Sequence, residues 1–146
     1  MTGTPLEQRL PSNVTAFDYV PYSRIFSRAA AIVHQAGIGT LSYALRSGCP
    51  QLLTPAGFDQ PDNAARAARL GVGRVLPFAR AHDDVRLACE LKALLGEPMH
   101  ARAAAAIAER SRGVDGADVA AQRIIESMNR GTAAGAAAAL KLSPDS

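Results

Sequence analysis

The stretch that decides the fold is Ala31–Gln60, AIVHQAGIGTLSYALRSGCPQLLTPAGFDQ. Ala31 to His34 is a short apolar run, suited to a strand buried in a parallel sheet. Gln35-Ala36-Gly37-Ile38-Gly39-Thr40 follows. Its two glycines permit a sharp turn and let a ligand approach the main chain closely. Thr40, or a residue just before it, is expected to cap a helix running to about Ser47, with Gly48 as the stop. Gln51 to Thr54 is the next strand, and Pro55 closes it. A glycine-rich turn feeding a helix start gathers N–H groups at the positive end of the helix dipole, which suits a phosphate. A tight turn that binds nothing fits the same pattern, because Gly-x-Gly is common by chance.

Working outward, Val14–Val20 (VTAFDYV) is β-branched and aromatic enough for a strand, closed by Pro21. Tyr22 to Arg28 reads as one or two helical turns. After Asp59-Gln60, the run PDNAARAARLGVG reads as a helix with Pro61 in its first turn and Gly71 as its terminator. Val72 to Leu76 is a short strand. Ala81 to Leu95 is a helix expected to bury Val85, Leu87, Ala88, Leu91, Leu94 and Leu95. Pro98 opens an Ala-rich helix to about Arg112, with a packing face over 101–108. Asp115 or Asp118 opens the last helix, with Val119, Ile124, Ile125 and Met128 expected to face inward. The alternation predicts an α/β class, a Rossmann-like parallel sheet with flanking helices. It spans 14–130, between an irregular lead-in over 1–13 and a disordered tail over 131–146.

At 146 residues the chain is one domain by length. A net charge of +3 with dispersed arginines gives no nucleic-acid footprint. Cys49 and Cys89 show no metal-ligand spacing and read as buried, reduced residues. No run is apolar enough to span a membrane and no leader pattern opens the chain, so a cytoplasmic soluble protein is expected. His34 reads as a strand-end residue packed under the turn, and His82 and His100 as surface residues. Asp59 before Gln60-Pro61 is, by pattern alone, ordinary helix-capping chemistry. Asp62 and Asn63 read as first-turn residues, and Arg24 and Arg28 as solvated surface.

Two segments carry a family resemblance in order and spacing. LPSNVTAFDYVPYSRIFSRAA is similar to LPxNVxxxxxVPxxxLLPRA. VHQAGIGTLSYALRSGCPQLLTPAGFDQPDNAARAARLGVG is similar to HHGGAGTxxEALRAGVPQLVxPxxxDQxxNAxRxxxLGVG, without a gap. From Leu10 to about Met128 the chain resembles the C-terminal, nucleotide-sugar-binding domain of the bacterial GT-B-fold UDP-glycosyltransferase superfamily. The resemblance implies a UDP- or dTDP-sugar donor and hexosyl transfer to a hydroxyl of a small or lipidic acceptor, with inversion. No cofactor and no metal are implied. It assigns the diphosphate to Gln35, Gly37, Ile38, Gly39 and Thr40. It assigns the base to Tyr19, Val20 and Tyr22, the ribose position to Tyr43, and the transferred sugar to Asp59 and Gln60.

Three residues depart from the family pattern. Gln35 stands where relatives carry a phosphate-binding His, Tyr43 where they carry a ribose-binding Glu, and Ala36 where they carry a Gly. The resemblance also implies an N-terminal domain, holding the acceptor and its general base, that this sequence does not contain. Two central strands of the donor domain are missing as well. Val14–Val20 is then expected either to pair with Ala31–His34 or to leave exposed sheet edges. No catalytic residue is assigned. The chain is expected to be inactive alone, and to need a GT-B N-terminal domain or a second chain as partner. The alternative is a non-catalytic nucleotide-sugar-binding module.

Overall fold

A computed structural model describes residues 10–140, with side chains as far as 130. The chain divides into two units, Met1–Arg110 and Ser111–Ser146. In the described part of the first, the order is α1 (Tyr22–Ile25) with a 3₁₀ turn (Phe26–Arg28), β1 (Ile32–His34), α2 (Ile38–Ser47), β2 (Gln51–Leu53), α3 (Gln60–Arg69) and β3 (Gly73–Val75). A 3₁₀ turn (Phe78–Arg80), α4 (Asp84–Gly96) and α5 (Pro98–Arg110) follow. The three strands form one parallel sheet in the order β1-β2-β3. Ile32 lies beside Gln51 and Gln51 beside Gly73, so His34, Leu53 and Val75 end the three strands together. This is the α/β architecture the sequence predicts.

Alternation along the strands divides the core. Leu53 joins Leu41, Ala64, Ala67, Val72 and Ala104, from α2, α3 and α5, on one face. Leu52 points the other way and packs with Leu76 and Leu94, the latter from α4. Small residues set the spacing. A Cβ on Gly48 would lie 3.2 Å from the Ala108 Cβ, and Gly48 itself is left-handed at φ 72°. A Cβ on Gly73 would lie 2.0 Å from the Gln51 carbonyl oxygen, so only glycine fits beside β2.

Val14–Val20 is not a strand. Tyr19 is 82 % exposed and Phe17 68 %, and β propensity yields no ladder bonds without a neighbour. β1 is therefore an edge among the described residues, and Val33 is exposed on it. In α4 only Leu94 is fully buried. Leu87 and Leu91 pack beside it, but Val85 and Leu95 are exposed. Asp83 caps α4 by accepting from the Val85 and Arg86 N–H groups at 3.1 Å. Cys49 is buried, with its thiol toward the Ala29 carbonyl at 3.2 Å, whereas Cys89 is exposed.

His100 departs from the surface position expected for it. It is buried, and its Nδ1 lies 2.8 Å from the Gly71 carbonyl oxygen. Left-handed Gly71 turns α3 into β3, and the first turn of α5 supplies a ring N–H to that turn.

In the second unit, α6 (Gly116–Leu140) continues past Gly131, where the sequence pattern predicts disorder; 141–146 lie outside the described residues. Asp115 accepts from the Ala117 N–H at 2.8 Å and opens the helix. Val119, Ile124, Ile125 and Met128 are exposed rather than inward, since the described part of this unit holds no second helix or strand to cover them. Among the described residues no helix is long and apolar enough to cross a membrane.

Gly73→Ala is expected to cost at least about 2 kcal/mol, because the clash is with backbone and not with a movable side chain. Urea unfolding of the variant would check this; an unchanged midpoint would contradict the packing of β3 on β2.

Candidate functional site

The site is built on the link between β1 and α2. Its sharp bend falls at Ala36, with φ 66°, and not at either glycine. A left-handed alanine costs on the order of 1 kcal/mol, so its surroundings must hold it. They hold both of its peptide groups. The Ala36 N–H donates to His34 Nδ1 at 3.1 Å. The Ala36 carbonyl accepts from Asn63 Nδ2 at 3.1 Å. Its methyl group is fully buried.

His34 is in turn fixed from two sides. Because Nδ1 accepts from Ala36, a neutral ring carries its proton on Nε2 and donates it to Gln51 Oε1 at 3.0 Å. Its carbonyl accepts from the Thr54 N–H at 2.9 Å. Burial lowers the His34 pKa below the ordinary 6.5, and the Gln51 bond opposes this in part. Protonation would also place a hydrogen on Nδ1, facing the Ala36 N–H. His34 is thus a structural residue, as its strand-end position suggests.

The two glycines carry a different meaning from the one the sequence suggests. Gly37 has φ −61° and ψ 139°, which any residue adopts, and Gly39 lies inside α2. A Cβ at either would meet no atom within 4 Å beyond its own chain neighbours and helix backbone. Gly39 even costs about 1 kcal/mol against alanine within a helix. The fold demands neither glycine. What they leave is open space over the start of α2. Gly37 is the N-cap, with no side-chain cap and no acidic residue in the first turn. The first intrahelical bond is from the Leu41 N–H to the Gly37 carbonyl at 2.9 Å. The N–H groups of Gly37, Ile38, Gly39 and Thr40 thus have no intrahelical acceptor. They lie at the positive end of the helix dipole.

Tyr19, Val20, Tyr22 and Tyr43 line one hollow of 380 Å³. The Tyr22 ring meets Tyr43 edge-on at 6.0 Å and stacks on Phe26 at 4.6 Å. Tyr22 also lines a second hollow of 360 Å³, together with Gln35 and Thr40. Tyr22 thus links the expected base and ribose residues with Gln35 and Thr40 of the expected diphosphate set, whereas Gly37, Ile38, Gly39, Asp59 and Gln60 line neither hollow.

Asp59 and Gln60 stand at the start of α3. Asp59 holds the N-cap position, but its side chain caps no N–H. Its Oδ2 accepts from Asn63 Nδ2 at 2.7 Å, leaving Oδ1 as an outward acceptor. Gln60 turns back on its own loop, where Oε1 accepts from the Ala56 N–H at 2.9 Å and the Gly57 N–H at 3.4 Å. Its Nε2 remains as a donor. Phe58, immediately before Asp59, is left-handed at φ 57° and fully exposed. Two residues of this site lay outside the expected set. Asn63 gave no signal beyond a first-turn position, and Ala36 only that an alanine stood at a glycine position.

Comparison with known proteins gives the family. Residues 2–127 match the family model described as "Erythromycin biosynthesis protein CIII-like, C-terminal domain". The chain belongs to this family. It is the C-terminal domain type of GT-B glycosyltransferases. The chain is 39% identical over 120 residues to the vancomycin aglycone glucosyltransferase of Amycolatopsis orientalis, covering 79% of this chain and 28% of that protein. It is 36% identical over 127 residues to the O-mycaminosyltylonolide 6-deoxyallosyltransferase of Streptomyces fradiae, covering 86% and 28%. Glycosyltransferase VinC, solved in complex with DTDP, superposes with a TM-score of 0.72 at 32% identity, over 84% of this chain and 31% of that one. The chain therefore spans less than a third of the length of these relatives.

The buried, neutral His34 is expected to make the EryCIII-like domain sensitive to acid. The folded-state pKa lies below the unfolded 6.5, so the unfolded chain binds more protons in the window between them. The stability held by neutral His34 is complete above about pH 6.5 and declines as pH falls through that window. Urea midpoints measured from pH 8 to pH 5 should fall, and His34→Gln should flatten the slope. An equal slope in both proteins would contradict the assignment.

Proposed function

We propose that this EryCIII-like domain is the donor-binding part of a glycosyltransferase that uses a UDP- or dTDP-sugar. The observation that carries the reading is the open start of α2. Two glycines that the fold does not require leave it clear, and its four N–H groups have no intrahelical acceptor. A nucleoside diphosphate gains negative charge as the glycosidic bond breaks, and N–H groups already aimed at it stabilise that charge without reorganisation. Gln35 adds an uncharged donor where relatives place a His, so it contributes less to the leaving group than a cation would.

The base and ribose assignments follow the hollow that Tyr19, Val20, Tyr22 and Tyr43 line, and the sugar assignment follows the spare polar atoms of Asp59 and Gln60. Tyr19, Val20 and Tyr22 take the base, with Tyr22 offering a ring face, and Tyr43 meets the ribose. Asp59 Oδ1 accepts from a sugar hydroxyl and Gln60 Nε2 donates to one. The sugar wall thus reads one donor and one acceptor pattern. The acceptor and the base that deprotonates it come from a GT-B N-terminal domain or a second chain. A dTDP-sugar is the first probe, because VinC was solved with DTDP.

Calorimetry of the purified chain with UDP, dTDP and their glucose conjugates is expected to show binding to at least one, with no sugar transfer to a panel of hydroxyl acceptors. Binding to none would overturn the reading. Gly39→Ala should separate fold from function. It should raise stability by about 0.5–1 kcal/mol through helix propensity, while its methyl group intrudes on the diphosphate and weakens binding roughly tenfold. Unchanged affinity with raised stability would remove the diphosphate from the start of α2.

A further inference from the structure

Asn63 occupies the first turn of α3 and is only partly buried, yet its amide joins the two walls of the site. One hydrogen of Nδ2 reaches the Ala36 carbonyl at 3.1 Å. The other reaches Asp59 Oδ2 at 2.7 Å. Both partners are acceptors, so the amide orientation is settled by the pair and both hydrogens are used. Few side chains can do this. A hydroxyl has one hydrogen, a carboxylate has none, and an aliphatic chain cannot bridge at all. The shorter bond ends on a carboxylate and is the stronger of the two.

The two ends matter because of what they hold. Ala36 is the left-handed residue that aims the start of α2, and its carbonyl belongs to the same peptide as the Gly37 N–H. Asp59 is a side chain without a capping role, and Asn63 is its hydrogen-bond partner within the protein. We propose that Asn63 is a positioning residue that couples the glycine-rich turn to the Asp59–Gln60 loop. It sets the Gly37 peptide and the Asp59 carboxylate as one unit, so that a ligand on one wall presents the other correctly placed. For donor binding this rests on the donor-site reading above; the coupling itself does not.

The test has a ligand-free arm and a ligand arm. In amide NMR spectra of the full chain, Asp59→Ala should shift the Gly37 and Ile38 resonances in the wild-type background. The same change in an Asn63→Ala background should leave them in place. Equal shifts in both backgrounds, or no shift in either, would overturn the coupling, and a purely structural Asn63 would not make the two changes interdependent. If Asn63→Ala loses a dispersed spectrum, Asn63→Ser replaces it. That variant keeps a polar group on the helix but cannot span two acceptors.

In calorimetry, Asn63→Ala should weaken dTDP-glucose about tenfold and dTDP about threefold, since the sugar complex uses both walls and the nucleotide one. Equal losses for the two ligands would overturn the positioning role. Absence of wild-type binding would instead overturn the donor reading, with the coupling still decided by the spectra.

Discussion

The site depends on one constraint, the left-handed backbone at Ala36. Its N–H and carbonyl are both satisfied by side chains, His34 from the end of β1 and Asn63 from the start of α3. Backbone polar groups left buried without partners are costly, so these two side chains make an unfavourable φ tolerable. Everything functional hangs from that bend. It sends the chain from the sheet into α2 with the first N–H groups at the positive end of the helix dipole. The price is a dependence on a neutral histidine, and through Gln51 on the middle strand of the sheet.

That dependence explains why buried polar residues sit under an open site. Gln51 is fully buried, Thr54 and His34 nearly so, and all three are committed to holding the turn. Side chains of the candidate site are fixed in placement by their neighbours. Tyr22 is stacked on Phe26, Gln60 is tied to the Ala56–Gly57 backbone, and Asp59 is held by Asn63. A site prepared in this way spends less ordering entropy when a ligand arrives. The left-handed, fully exposed Phe58 lies in the same loop, where the Gln60 bonds brace the backbone on either side of it.

Much of the fold was legible because it rests on local chemistry. Apolar runs of strand length, Gly48 and Gly71 as helix stops and the alternation of strand and helix are all read within a few residues. The misplaced elements share a cause. Val14–Val20 has strand propensity but no partner to pair with. The apolar residues Val119, Ile124 and Ile125 of α6 have helical spacing but no second helix or strand in the described part of their unit to bury them. Val85 and Leu95 follow the helix period yet lie outside the stripe that meets the sheet. Propensity and periodicity state what a segment can do, and burial depends on which neighbours are present.

The sequence alone determined the α/β class, the family and the order of the elements from Tyr22 onward, and it singled out two stretches, Gln35–Thr40 and Asp59–Gln60, as candidate ligand contacts. These follow from spacing along the chain, which folding does not alter. Only the tertiary structure decided that the bend lies at Ala36, that the glycines serve open space rather than the turn, that His100 is buried, and that Asn63 joins the two stretches. Each of these depends on groups 27 or 29 positions apart or on a φ angle. A bond between distant side chains leaves no periodic trace in the sequence that produces it.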